Sequence, residues 1–432
     1  MRKVVELVDR IEGEATLRFA LTQNGKVAQV GIDFGLYRGI EEILRGKAPR
    51  DALVIAPRVC GICNHAHLLA AVEAIEAGLR AQGVRVELSA KARDIRTFTW
   101  ACELMQNHFK WFYFTILPML RRLGGVAEGE RDTLLKANFV SVALNKAAAL
   151  FSGQWPHSSY AVPGGVTCDP TYVEVMQAAR AVNEAAAFVE KVFLATDIAH
   201  FLETRDVHTL SACGGDFGEA VRLLFQTETA QAGKSYDRFL VLADSPLAAA
   251  SKATATKLAG VDTRYVREYD QPGSAAKGVL YKDKLYETGP LARAMVRKEP
   301  LIRDLHKRYK DATISRIVAR MHEAVRLLSY AKTLLERLRL DEPSCTLPPN
   351  ISLENFEGEG RIEAARGSLL HRTVVKEGRI AAYEIITPTQ WNLSQGFGEE
   401  EGVAQKAMKG LRKAEAEFVF RAFDVCSVCT TQ

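Results

Sequence analysis

The decapeptide RVCGICNHAH, residues 58–67, places Cys60 and Cys63 two residues apart, just ahead of a run rich in alanine, leucine and glutamate. Two intervening residues let both sulfurs turn toward one ion from a tight turn or a first helical turn. A second pair with the same spacing, Cys426 and Cys429, stands in AFDVCSVCTTQ at the other end of the chain. Read together, the pairs predict one metal site closed by the last turn of the fold, so the architecture must bring the two ends of the sequence to one place.

The bare spacing leaves three readings open: a structural zinc site, two unrelated pairs, or one functional metal centre. Structural zinc sites usually set their cysteine pairs roughly 12 to 20 residues apart, closing a small loop that could not fold alone. Here the pairs lie hundreds of residues apart. A 432-residue chain with 47% hydrophobic residues can also bury a core without a metal staple.

Composition bounds the setting. Lys+Arg number 57 against Asp+Glu 52, for a net charge of +5 spread along the chain. No basic stripe or polybasic patch suggests a nucleic acid or a membrane surface as partner. The opening MRKVVELVDRIEGE lacks an apolar core of the secretory kind, and no uninterrupted apolar run predicts a membrane span. The expectation is a soluble protein with reduced thiols. The four remaining cysteines, Cys102, Cys168, Cys213 and Cys345, are scattered and read as buried small hydrophobes.

Length alone allows about three domains, yet no linker, repeat or low-complexity stretch divides the sequence, and residues 1–432 read as one compact domain. Leu17, Phe19 and Leu21 alternate with polar residues ahead of Asn24-Gly25, and Val27 to Phe34 follows, a hairpin signal. Thr373–Val375 and Ile380–Ile386 flank Lys376-Glu377-Gly378-Arg379 in the same way. Between these β-rich ends, His67–Leu79, Asp94–Arg122, Tyr172–Glu203 and Ile314–Leu340 read as helices. In the last, Ile314, Ile317, Met321, Val325, Leu328, Ala331, Leu335 and Leu338 step by threes and fours, the seam of a packed helix. Pro163-Gly164-Gly165, Gly289-Pro290 and Pro348-Pro349 read as turns. The fold class is therefore α+β and predominantly helical: a central bundle of long helices, with small β hairpins near both termini, clustered at the metal.

Further clusters are bland singly. Arg10-Ile11-Glu12-Gly13 could be a surface ion pair at a strand edge. Arg38-Gly39-Ile40-Glu41-Glu42 could be a helix start with acidic residues near its N-terminus. His67 stands four residues after Cys63, within reach of a sulfur.

Taken in order, RIEGE (10–14), YRGIEEIL (37–44), RVCGICNHAH (58–67), PGG (163–165), ETGPLAR (287–293), EAARGSLLH (363–371), TPTQWN (387–392) and FDVCSVC (423–429) resemble the large subunit of nickel-iron hydrogenases. The resemblance runs through nearly the whole chain. It implies that four thiolates hold nickel, and that the second cysteine of each pair also bridges to an iron carrying carbon monoxide and two cyanides. Cys60 and Cys426 then correspond to terminal nickel ligands, and Cys63 and Cys429 to bridges; soft thiolates suit both metals. Heterolytic cleavage of hydrogen needs a Lewis acid and a nearby base. By the resemblance, the Cys426 sulfur first accepts the proton and Glu12 relays it, its pKa raised beside buried thiolates.

The same resemblance places the Arg366 guanidinium over the open side of the metals, near a cyanide. Thr389 would donate to a cyanide, Asp424 would pair with Arg366 or the local backbone, and His67 would bond to Cys63. Glu41, the backbone carbonyl of Ile385 and Gln432 would hold a magnesium ion, a hard cation that favours oxygen. Gln432 stands where the family usually has a histidine, Val425 where it has a proline, and Asn107 where it has an aspartate. The last change removes a negative charge near Arg366. Ile62 and Phe109 match positions that narrow the gas channel in hydrogen-sensing members, although ordinary core packing accounts for both.

The resemblance points to the cytoplasmic uptake or sensing branch, and three functions remain in view: an energy-conserving or biosynthetic hydrogenase that oxidises hydrogen and passes electrons to a partner, a hydrogen sensor of low turnover signalling to a kinase, and a structural zinc or interaction protein. Either hydrogenase reading implies a partner, the iron-sulfur small subunit, since this chain has paired cysteines for one site only. A downstream electron acceptor then receives the electrons.

Overall fold

The computed structural model describes residues 2–8, 15–35, 37–126, 130–243, 245–248 and 261–426. Glu12, Cys429 and Gln432 lie outside the described residues. The chain opens with an antiparallel sheet of β1 (Arg2–Val8), β2 (Ala15–Leu21) and β3 (Val27–Asp33). On β2, Ala15, Leu17, Phe19 and Leu21 are buried in alternation, as the period of two demands. Gly25 takes the left-handed backbone of the Asn24-Gly25 turn, with φ 72°.

The short helix α1 (Ile40–Leu44) leads to α2 (Asn64–Ala81), α3 (Ala90–Trp111), α4 (Glu130–Ser152) and α5 (Tyr172–Phe188), followed later by α6 (Pro290–Arg297) and α7 (Thr313–Glu336). Helix α7 packs on α3, α3 on α4, α4 on α5, and α5 back on α7, closing a ring of four. The predicted stripe on α7 is that seam from Ile314 to Leu335, all of whose members are buried, while Leu338 falls beyond the helix end at Glu336 and is half-buried. Each such aliphatic side chain contributes roughly 1.5–3 kcal/mol relative to exposure.

Two predicted helices are interrupted. The span after Asp94 widens into a π-turn at Phe112–Ile116, and the span after Tyr172 does so at Val189–Leu194 before Ala195 ends it in a left-handed conformation. Gly289-Pro290 begins α6 instead of making a free turn, with proline at the first helical position, where its missing N–H costs nothing. Of the four scattered cysteines only Cys102 is fully buried; Cys168, Cys213 and Cys345 are half-exposed.

A second antiparallel sheet comprises β4 (Phe356–Ala364), β5 (Gly367–Lys376) and β6 (Arg379–Ile386), in the order β6-β5-β4. The predicted hairpin is β5–β6, turned by Glu377 and Gly378, both at positive φ. Strand β4 has no counterpart among the predicted elements, because its GEG centre is a poor strand signal. Those glycines have a packing role. A Cβ on Gly358 would lie 1.9 Å from the Ala74 carbonyl oxygen, and one on Gly360 2.0 Å from that of Ala70. Helix α2 therefore rests directly on the backbone of β4. Helices α8 (Pro388–Leu393) and α9 (Lys413–Ala422) carry the chain back to the site.

Candidate metal centre

Cys60 follows a 3-10 turn at Ala56–Val59 and takes extended backbone, while Cys63 caps the start of α2. Arg38 fixes the approach, its Nη1 donating to the Val59 carbonyl at 2.6 Å and its Nη2 to that of Arg58 at 2.9 Å. Cys426 arrives just beyond α9 from the opposite end of the chain. The Cys60 and Cys426 sulfurs stand 3.7 Å apart, and the three sulfurs of Cys60, Cys63 and Cys426 all lie within 4.8 Å of one another, buried. Three soft ligand atoms converging at this spacing fit a thiolate-held metal.

Helix α3 grips the loop between the first two cysteines and the residues after it. The Glu103 carboxylate accepts the N–H groups of His65 at 2.7 Å and Ala66 at 3.0 Å. The side-chain amides of Asn107 and Gln106 donate to the Ile62 carbonyl at 2.6 and 3.2 Å. Burial raises Glu103 to about 8, against the pull of these N–H groups and Arg366.

Arg366 stands in the turn between β4 and β5. Burial opposes its charge, but Asp424 and then the thiolates of Cys426, Cys63 and Cys60 hold its pKa well above the ordinary value. Its Nε donates to the Asp424 carbonyl at 3.1 Å, Nη2 to Asp424 Oδ1 at 3.2 Å, and Nη1 to Asn107 Oδ1 at 3.3 Å. Arg320, stacked on Trp111, takes the other Asp424 oxygen at 2.6 Å. Gly367 at φ 138° and Gly289 at φ 116° let two motifs touch: a Cβ on Gly289 would lie 2.7 Å from the Arg366 carbonyl oxygen. Arg293 of the ETGPLAR stretch then reaches Glu363 at 3.2 Å and Glu323 at 2.5 Å, all three buried. These glycine and arginine contacts explain physically why the two motifs occur together.

The remaining predicted residues divide. The Thr389 hydroxyl is buried and without a partner among the described residues, as a donor awaiting an acceptor would be. His67 Nδ1 lies 3.0 Å from His371 Nε2, so this nitrogen turns to another histidine and not to Cys63. Glu41 and Ile385, the two magnesium candidates among the described residues, stand together: the Ile385 N–H donates to the Glu41 carboxylate at 2.6 Å. Burial raises Glu41 to about 7; the Ile385 N–H and Lys277 oppose this, and Glu268 and Glu384 add to it. Phe109 is buried edge-to-face against Phe193 at 5.3 Å, and Ile62 is half-buried at the core margin. Sequence reasoning places Asn107 near Arg366 but gives Glu103, Gln106, Arg320, His371 and Tyr383 no supporting role. The polar positions at 103, 106 and 107, spaced for one face of the apolar second half of the helix, are the available signal.

The helical ring, the glycine-seated sheet and the buried thiol cluster define a protein built to hold a metal on cysteine thiolates. Residues 38–116 and 242–431 match the family described as nickel-dependent hydrogenase, and the chain belongs to that family. It is 26% identical over 465 residues to the periplasmic [NiFeSe] hydrogenase large subunit of Desulfomicrobium baculatum, covering 90% of this chain and 85% of that one. It is also 22% identical over 557 residues to the hydrogenase-2 large chain of Escherichia coli K12, covering 99% and 96%. The fold matches the solved Ni-Fe-Se hydrogenase of D. vulgaris Hildenborough in its as-isolated oxidized state, with a TM-score of 0.81 over the whole of both chains at 23% identity.

Proposed function

We propose that this chain is the large subunit of a nickel-iron hydrogenase that converts H2 reversibly to two protons and two electrons. The observation that carries the reading is the triangle of buried sulfurs of Cys60, Cys63 and Cys426, whose charge acts on Arg366. Cys60, Cys63 and Cys426, with Cys429 as the fourth, would hold the metals; a nickel–iron centre with carbon monoxide and cyanide ligands supplies the Lewis-acid and redox chemistry for splitting hydrogen. Arg366 keeps a fixed positive charge beside the thiolates and cannot itself take the proton. Its geometry against Asp424 and Asn107 holds it still, so its donors are preorganised. The Cys426 sulfur receives the proton, and Glu12 passes it outward. The buried Thr389 hydroxyl would serve as a hydrogen-bond donor to a cyanide of the bound centre. Glu41, with Ile385 and Gln432, would hold magnesium, and a bound cation would keep the Glu41 carboxylate ionised.

Electrons leave through an iron-sulfur small subunit to an acceptor encoded elsewhere. Cytoplasmic residence belongs to this reading, supported by the free, half-exposed thiols of Cys168, Cys213 and Cys345, which a reducing compartment preserves. The test is co-purification with the partner, followed by metal analysis, infrared spectroscopy and hydrogen-driven dye reduction. Nickel and iron together with carbon monoxide and cyanide bands are expected; fully metallated protein without those bands would falsify the reading. Cell fractionation tests the compartment, and recovery from the periplasm overturns that part.

A further inference from the structure

A line of hydrogen bonds runs into the second sheet from His67, whose backbone N–H donates to the Cys63 carbonyl one helical turn earlier at 3.4 Å. His67 Nδ1 lies 3.0 Å from His371 Nε2, and His371 Nδ1 lies 2.9 Å from the Tyr383 hydroxyl. His67, His371 and Tyr383 are 2%, 0% and 5% exposed, so no solvent competes along the line. Burial holds both imidazoles neutral: His67 falls to about 4 even though Cys426 pulls the other way, and His371 falls well below its ordinary value.

A neutral imidazole carries one N–H. Where two such rings share a contact, one nitrogen donates and the other accepts, and the choice at one ring fixes the next. A metal-held thiolate has lone pairs and no proton, so it only accepts. His67 Nε2 is the ring nitrogen that His371 leaves unused, and His67 stands one helical turn after Cys63 on α2. With its hydrogen on Nε2, His67 must accept at Nδ1. His371 then donates from Nε2 and accepts at Nδ1, and the Tyr383 hydroxyl donates at the far end.

We propose that Tyr383 is a positioning residue for the metal centre: acting through His371, its hydroxyl locks His67 in the tautomer that donates to the thiolates and draws electron density from sulfur. The proposal rests on the nickel-iron reading. Serial hydrogen bonds in a dry interior polarise one another, so the far hydroxyl is felt at the near end. The alternative is that Tyr383 only fills space, in which case phenylalanine serves equally.

The experiment is infrared spectroscopy of the intact enzyme, comparing wild type, Tyr383→Phe and Tyr383→3-fluorotyrosine. Loss of the hydroxyl leaves the sulfur richer in electrons, and the carbon monoxide band is expected to move to lower wavenumber. The more acidic fluorinated phenol donates more strongly, and the band is expected to move the other way. Spectra of Tyr383→Phe that superimpose on wild type overturn the proposal and leave the nickel-iron reading intact. Wild-type protein without bands overturns both. Should Tyr383→Phe fail to load metal, the fluorotyrosine variant keeps ring and hydroxyl and decides by the presence or absence of its shift.

Discussion

Asn107 joins Arg366 to the cysteine loop: its side-chain oxygen accepts from Arg366 Nη1 at 3.3 Å, while its amide nitrogen donates to the carbonyls of Ile62 at 2.6 Å and Glu103 at 2.8 Å. The change from aspartate to asparagine therefore does more than remove a charge. An amide can face two carbonyls and a guanidinium at once, which a carboxylate cannot. Asn107→Leu leaves these buried groups unpaired, and a loss of about 1–3 kcal/mol in unfolding stability is expected from denaturant titration. An unchanged midpoint contradicts this account.

Arg366→Lys retains charge but cannot make the three bonds to Asp424 and Asn107 together. Loss of charge-assisted bonds worth about 1.5–3 kcal/mol corresponds to a roughly tenfold to hundredfold fall in hydrogen oxidation. Metal content by elemental analysis is expected to stay at the wild-type level; loss of nickel in step with activity would show Arg366 to be needed for assembly instead.

Cys60→Ser and Cys426→Ser are expected to abolish nickel binding and activity while circular dichroism remains that of a folded helical protein, since the core does not depend on the metal. Cys102→Ala is the contrasting case. Cys102 is buried away from the cluster, its thiol held protonated by desolvation, and this variant should keep its nickel.

Glu73 gives a pH signature separate from catalysis. It accepts the Arg361 N–H at 2.8 Å, and burial foremost, with Glu76 adding, raises it from 4.5 to about 7. Because the folded pKa is the higher one, its contribution is fully present below pH 4.5 and is lost as the pH rises through 7. Glu73→Gln preserves the bond to Arg361 and removes the titration. The variant should gain ~1–2 kcal/mol relative to wild type between pH 5 and 8, after allowance for partial exposure. Parallel stability curves across that range count against the assignment.

The parts legible in the sequence are those with a short period or a local signature. Leu17, Phe19 and Leu21 announce a strand, the Ile314–Leu335 seam announces a helix, and the CxxC spacing announces the meeting of Cys60 and Cys63 with Cys426. Gly358 and Gly360 read as strand-breaking because their use lies in the helix backbone roughly 290 residues earlier, which no local window contains. The π-turns at 112–116 and 189–194 are hidden for a related reason: an extra residue in a turn leaves composition unchanged. The His67–His371 contact is likewise unreadable, since its members belong to separately recognisable motifs.

The 3.7 Å approach of Cys60 to Cys426 also sets a schedule. The two residues are 366 positions apart, and at ~5–20 residues per second a ribosome needs roughly 20–70 s to pass from one to the other. During that interval the Cys60 and Cys63 thiols exist with no C-terminal counterpart. A newly made chain therefore has half a binding site exposed to stray ions and oxidants, and whatever shields that half must act while translation is still under way.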